Sequence, residues 1–353
     1  TFEKFEGNPV IATPPAEGSA DFRDPKVWKH DGIWYMVVGS GKDGIGKALL
    51  YRSPDLRNWT YVGVLAESDG TLGYMWECPD FFPVGDKHAL MFSPMGMGER
   101  KAVYLLGDMD YETGKFTWDT IGDTDVGFDY YAPQSLLDAS GRRIIIAWLN
   151  SWDWMPWFKE WAPPKVKGWC GSMSIPRVVE PGENGRLAFR PVAEMKRLRG
   201  EGYHAENVVV AEGRLPFPPE IRGGEPLEIV VSFRLDAAAA RFGLMLRASE
   251  DGSKRTRIQY DKEKRELTFD RSRSDDWSEG VRSIRLDRLQ GEWLKLHLYV
   301  DSSNVELLTE DDTTAVTFNI YPDPADTRME WFADGGSATL ASLDIWPLRP
   351  IWP

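Results

Sequence analysis

Three segments of this chain open in the same way, with a polar or acidic residue, a proline and then an apolar run. They read RDPKVW around Pro25, ECPDFF around Pro79 and YAPQSLL around Pro133, and each step between prolines is 54 residues. The first two units then continue alike. A Gly-containing turn (Asp31-Gly32; Gly85-Asp86) leads to a strand, a second strand and a strand carrying Trp (Trp59; Trp118). A period of about 50 residues with about four strands per unit is the signature of a propeller blade. In a propeller the first strand of each blade lines the central channel. Residues just before the three prolines therefore converge on one axis, which places Asp24, Glu77 and the Asp129-Tyr130-Tyr131 cluster around a common funnel.

Strand signals dominate elsewhere too. Trp34 to Ser40, Ala48 to Ser53, His88 to Pro94, Ala102 to Asp108 and Arg143 to Asn150 are short, apolar or alternating, and bounded by Gly, Pro, Asp or Asn. One short helix is expected at Pro191 to Gly200, opened by Pro and closed by Gly. Beyond Gly202 the pattern changes to regularly spaced alternating strands such as LEIVVSFRL and WLKLHLYVD. That pattern suits an antiparallel β-sandwich. The division predicted is a propeller domain over 1–190, a linker with the short helix over 191–201, and a sandwich over 202–353.

A net charge of −13 and a pI near 5.0 argue against nucleic acid or an anionic membrane as partner, because phosphate would be repelled. No apolar run reaches the roughly 18 residues that would span a bilayer. The chain reads as a soluble one, cytoplasmic or secreted. Its two cysteines, Cys78 and Cys170, lack metal-site spacing and are expected as free thiols. Neither a metal nor another cofactor is called for. The 16 tryptophans exceed what a core requires, and exposed indoles are platforms for sugar rings, although about half should wedge between sheets.

Cleaving a glycosidic bond takes one acid to protonate the departing oxygen and a carboxylate across the anomeric carbon. Glu77, in MWECPDFF, is the acid/base candidate, since partial desolvation would keep it protonated long enough to donate. Its alternative is a strand-end Glu in an ion pair. Asp24 follows Arg23, which would hold it ionised, and precedes Pro25, which biases it toward extended backbone. An ionised Asp there can grip adjacent sugar hydroxyls; taken alone, RDP would more simply be a surface pair. Tyr130, Tyr131, Trp152, Trp154, Trp157, Trp161 and Trp169 crowd the third unit and the stretch after it, as a sugar-stacking rim or as a packed loop.

At these residues the sequence resembles glycoside hydrolase family 32, the β-fructofuranosidases, invertases, inulinases and levanases. FRDPKVW, MWECPDFF, YYAPQSL, GWCGSMSIPR and FDRSRS carry the likeness in the family's order over nearly the whole chain. The resemblance implies an all-β fold, a five-bladed β-propeller followed by the sandwich. It also implies retaining hydrolysis of terminal β-fructofuranosyl bonds in sucrose, inulin or levan, without a metal. Asp24 takes the place of the transition-state stabiliser and Glu77 that of the acid/base. Arg23, Cys78, Trp169, Tyr130 and Trp152 are the expected sugar contacts. One departure matters: no NDPNG-like nucleophile motif occurs in the 353 residues. Three units and a remnant strand, TFEKFEGNPVI, leave two blades, about 108 residues, to be expected before Thr1. On this reading the 353 residues alone do not turn over sucrose or inulin.

The predicted partner is a small sugar or oligosaccharide, with a separate N-terminal fragment or a second copy of the chain as protein partners left open. Rival functions are fructosyl transfer, in which a sugar replaces water, and a non-catalytic carbohydrate-binding relative. A generic propeller interaction protein would have no use for Asp24 and Glu77 in register.

Overall fold

The structure is a computed structural model that describes residues 3–150, 168–169, 171–182, 185–286, 289, 291–309 and 313–352. Apart from the short 3-10 helix Ala193–Leu198, its named elements are all β-strands, and they fall into two compact units. The first unit comprises Thr1–Val126, Tyr130–Trp148 and Pro176–Phe189; the second comprises Gly127–Asp129, Leu149–Ile175 and Arg190–Pro353.

The first unit holds three four-stranded antiparallel meanders. One is formed by β1 (Phe22–His30), β2 (Ile33–Lys42), β3 (Ile45–Ser53) and β4 (Thr60–Glu67). The next contains β5 (Met75–Val84), β6 (Lys87–Met95), β7 (Val103–Asp110) and β8 (Lys115–Asp123). The last is built from β9 (Tyr131–Leu137), β10 (Arg143–Trp148), β11 (Arg177–Pro181) and β12 (Leu187–Pro191). Each sheet pairs its strands in chain order, as a propeller blade does. The remnant strand expected in Thr1 to Ile11 is absent from the described part of that segment, and residues 3–21 lie outside every named strand.

Blade sheets are covered on both faces, so their middle strands read as continuous apolar runs rather than as alternations. In β2, Tyr35 and Val37 join Leu50, Trp76, Phe81, Leu90, Phe92 and Leu105 in a core between the first two blades. Met36 and Val38 point the other way, packing with Leu49 and Tyr51 against Ile11 and Phe22. Trp76 is fully buried and stacks on Phe92 with ring centroids 3.8 Å apart. Burial of an aromatic side chain of this kind contributes roughly 1.5–3 kcal/mol. The blades approach so closely that a Cβ on Gly39 would fall 2.2 Å from the Trp76 carbonyl oxygen.

The second unit is a pair of six-stranded antiparallel sheets. One runs, in spatial order, Tyr203–Val210, Ala338–Pro347, Leu227–Arg234, Trp293–Val300, Asn304–Thr309, Ala315–Asn319. The other runs Gly213–Pro216, Arg328–Asp334, Arg241–Ala248, Arg255–Asp261, Glu266–Arg273, Val281–Arg285. Alternation here is clear: in Arg255–Asp261 every second residue is buried. Phe233 of the first sheet meets Phe242 and Trp331 of the second at 5.0 and 5.8 Å between centroids.

Candidate active site

The innermost strands β1, β5 and β9 share one irregularity. Arg23 pairs with Gly39 and Lys26 with Val37, so three steps on β1 answer two on β2. Glu77–Asp80 on β5 and Tyr131–Gln134 on β9 repeat the same mismatch against β6 and β10. Each strand thus carries a bulge ahead of its proline. The residue before the proline adopts left-handed φ in all three: 59° at Asp24, 51° at Cys78 and 52° at Ala132. The extended backbone expected at Asp24 from Pro25 is therefore corrected. The bulge overrides the pre-proline preference, at a cost of roughly 1–3 kcal/mol per residue.

This geometry sorts the inner residues into tiers. Two positions before each proline stand Arg23, Glu77 and Tyr131, and they bond to one another across the blades. Arg23 donates from Nε to Glu77 Oε1 at 3.0 Å, and its Nη2 lies 2.9 Å from the same oxygen. Tyr131 donates its hydroxyl hydrogen to Glu77 Oε2. Glu77 is only 9% exposed and Tyr131 6%. Arg23 also donates to Asp21 at 2.7 Å. Burial opposes the Arg23 charge, but the hydrogen bonds to Asp21 and Glu77 outweigh it and hold its pKa above the ordinary guanidinium value.

One position before each proline stand Asp24, Cys78 and Ala132. Asp24 Oδ2 accepts the Cys78 backbone N–H at 3.0 Å and the Cys78 thiol at 3.4 Å. Among the described residues no hydrogen bond reaches Oδ1. The corresponding amide in the third blade, Ala132 N–H, is taken by Ser93 Oγ at 2.9 Å. Burial first, then the neighbouring charges of Asp24 and Glu77, push the Cys78 pKa up to about 12, so it remains a thiol and a donor. Arg23 makes its ion pairs with Glu77 and Asp21, not with Asp24 as expected, because the bulge turns the two adjacent side chains to different partners.

A third tier lies one position after each proline. Lys26 Nζ reaches Asp80 Oδ2 at 3.3 Å and Gln134 Oε1 at 3.2 Å, and donates to the Ser135 carbonyl at 2.7 Å. Asp80, with no exposed surface, also accepts the Ser135 amide at 2.6 Å. These groups tie the inner strands together beneath the carboxylates.

The remaining sequence-predicted residues are distributed differently. Tyr130 is 1% exposed, with the Arg177 guanidinium 4.8 Å above its ring, so it is a core residue and not a sugar platform. Asp129 belongs to the second unit, where it is ion-paired with Arg271 and accepts the Asn319 amide at 2.7 Å. Gly127 packs closely on Thr317, whose carbonyl accepts the Asp129 amide at 3.2 Å. Trp169 is 39% exposed and also belongs to the second unit. Trp152, Trp154, Trp157, Trp161 and Cys170 lie outside the described residues. Tyr131 was placed at the funnel from sequence as a ring of the rim and not as a partner of Glu77, and Ser93 was not assigned to the site. Counting two residues back from each proline aligns Tyr131 with Glu77, but Ser93 is marked only by its pairing with Glu77 across β5 and β6. Among the described residues no cluster of His, Cys, Asp and Glu side chains could hold a metal ion.

A carboxylate gripped by an arginine and a tyrosine, beside an aspartate with one free oxygen, is equipped for proton transfer next to a hydroxyl-bearing ligand. Comparisons with known proteins place the chain in a family. "Glycosyl hydrolases family 32 N-terminal domain" matches residues 1–191, and "Glycosyl hydrolases family 32 C terminal" matches residues 194–347. A sucrose-6-phosphate hydrolase of Escherichia coli is 35% identical over 98% of this chain and 70% of its own length. A raffinose invertase of Escherichia coli is likewise 35% identical, with the same coverage of both chains. Among solved structures, a GH32 beta-fructofuranosidase of Bombyx mori superimposes with a TM-score of 0.77 at 29% identity, over 98% of this chain and 70% of the other. The two family matches between them cover nearly the whole sequence, and the chain belongs to glycosyl hydrolase family 32.

Proposed function

We propose that this chain carries the acid/base and sugar-binding half of a retaining β-fructofuranosidase acting on sucrose or fructans. The observation that carries the reading is the bonding of Glu77 to Arg23 and Tyr131 beside Asp24, all presented by equivalent bulges. Glu77 protonates the departing glycosidic oxygen as a fructosyl-enzyme ester forms, then accepts a proton from the water that opens the ester. The attacking carboxylate is assigned to a segment outside these 353 residues. Asp24 holds its Oδ2 against the Cys78 amide and offers Oδ1 to fructose hydroxyls, a contact that strengthens as positive charge grows on the ring. The invertase-type relatives support a fructosyl substrate, and the oligosaccharide itself is the partner required.

Two assays test this. In the longest polypeptide that the gene encodes, Glu77→Gln and Asp24→Asn should each lower fructose release from sucrose by several powers of ten, while the thermal midpoint stays within a few degrees of the parent. Near-normal turnover by either variant would overturn the assignment. Fructose release by the 353 residues alone would instead overturn the placement of the nucleophile outside them.

A further inference from the structure

On the outer face of the second sandwich sheet, Arg255 and Arg273 sit directly opposite each other on neighbouring strands. Arg255 Nη1 donates to the Gly252 carbonyl at 2.8 Å, and Arg214 Nη1 lies 3.7 Å from where a Cβ on Gly252 would be. Arg214 and Arg255 therefore meet at one turn, and Arg273 stands opposite Arg255 on the next strand. Like charges opposed across strands destabilise a sheet. Nearby carboxylates are engaged elsewhere. Glu330 is shared by Arg214, at 3.2 Å, and Arg328. Asp334 pairs with Arg257 at 2.8 Å. Asp270 bonds to the amide and hydroxyl of Ser272, and Asp251 closes its own turn on Ser249 and Ser253. Among the described residues neither Arg255 nor Arg273 forms an ion pair. Burial, and then the charges of Arg273, Arg214 and Arg257, hold the Arg255 pKa below its ordinary value.

We propose that Arg214, Arg255 and Arg273 form a binding site for a phosphate group, either inorganic phosphate or a phosphate monoester. Guanidinium forks match phosphate oxygens in pairs, and a tetrahedral dianion offers oxygens to donors arriving from several strands. A planar carboxylate serves fewer such donors. The local repulsion between Arg255 and Arg273 is what a bound dianion would relieve, and it acts at close range although the chain as a whole carries a net charge of −13. The site uses no residue of the Glu77 cluster and stands independently of the fructosidase reading.

The test is the thermal midpoint of the 353-residue chain at constant ionic strength set with sodium chloride. Sodium phosphate should raise the midpoint by about 2–4 °C at saturation. Glucose 6-phosphate identifies the source: an equal shift makes the phosphate group alone the ligand, and a larger one makes the ester the ligand. Arg255→Gln/Arg273→Gln should lose the shift and, in chloride alone, unfold no earlier than the parent because the repulsion is gone. Arg273→Gln alone, at an exposed position, should lose most of the shift if the double variant fails to fold. Arg52→Gln, at an exposed arginine of the first unit, should keep it in full. A phosphate effect no greater than that of chloride, or a full shift retained by the Arg273 variant, overturns the proposal.

Discussion

Tyr131 is the residue on which the proposed chemistry depends most after the carboxylates themselves. Its hydroxyl is the donor to Glu77 Oε2, while Arg23 occupies Oε1. A buried hydrogen bond to a charged group is worth about 1.5–3 kcal/mol. Tyr131→Phe should therefore lower kcat/KM for sucrose by roughly one to two powers of ten, mostly in kcat, since the bond removed is the one to the proposed acid/base. An unchanged kcat would show that Arg23 alone suffices to set the carboxyl. This residue also marks how far the amino-acid pattern could be read. The 54-residue spacing identified the three inner strands, and RDP and EC carried the resemblance to the family. Asp24 and Glu77 were nevertheless treated as equivalent, although Asp24 shares its position with Cys78 and Glu77 shares its position with Arg23 and Tyr131. One residue of bulge separates the two tiers, and alternation along a strand gives no sign of a bulge when the following proline favours extended backbone.

At the scale of elements, what aims the carboxylates is the contact of β2 with β5. Gly39 on β2 leaves room for the Trp76 carbonyl, which immediately precedes Glu77 in the chain. In Gly39→Ala the new Cβ would stand 2.2 Å from that carbonyl oxygen and 3.2 Å from Pro79 Cδ, so β5 must retreat. Backbone gives way less readily than a side chain, and overpacking of this sort costs about 1–3 kcal/mol or more. The expected outcome is a lower urea midpoint together with a drop in kcat larger than the stability loss alone explains. Parent-like stability and turnover would mean that the approach of β2 and β5 is not what places Glu77. The strands themselves were legible: the apolar runs predicted at Trp34 to Ser40 and His88 to Pro94 lie inside β2 and β6. The third tier of Lys26, Asp80 and Gln134 was not, because a half-buried Lys reaching a buried Asp on another sheet leaves no mark in either strand's own sequence.

At the scale of the whole molecule, acid should act on the sandwich through one buried carboxylate. Glu228 has no exposed surface and receives Arg199 at 2.7 and 2.6 Å, His297 Nε2 at 2.7 Å and the Tyr299 hydroxyl at 3.0 Å. Arg199 follows the 3-10 helix Ala193–Leu198 and lies 3.6 Å from the Trp346 ring centroid, so the same group anchors the chain where it enters the sandwich sheets. Burial alone would raise the Glu228 pKa, but the hydrogen bonds and charges of Arg199 and His297 outweigh it and lower the value to about 2 from the usual 4.5. Because the folded value is the depressed one, this stabilisation is complete above about pH 4.5 and is lost as pH falls toward 2. A shift of that size corresponds to about 3 kcal/mol. Denaturant unfolding of the sandwich transition, followed between pH 6 and pH 2.5, should weaken in the parent more steeply than in Glu228→Gln. The Gln variant should start lower, since Arg199 loses its buried counter-charge. Parallel pH slopes for the two proteins would remove Glu228 as the group through which acid reaches the fold.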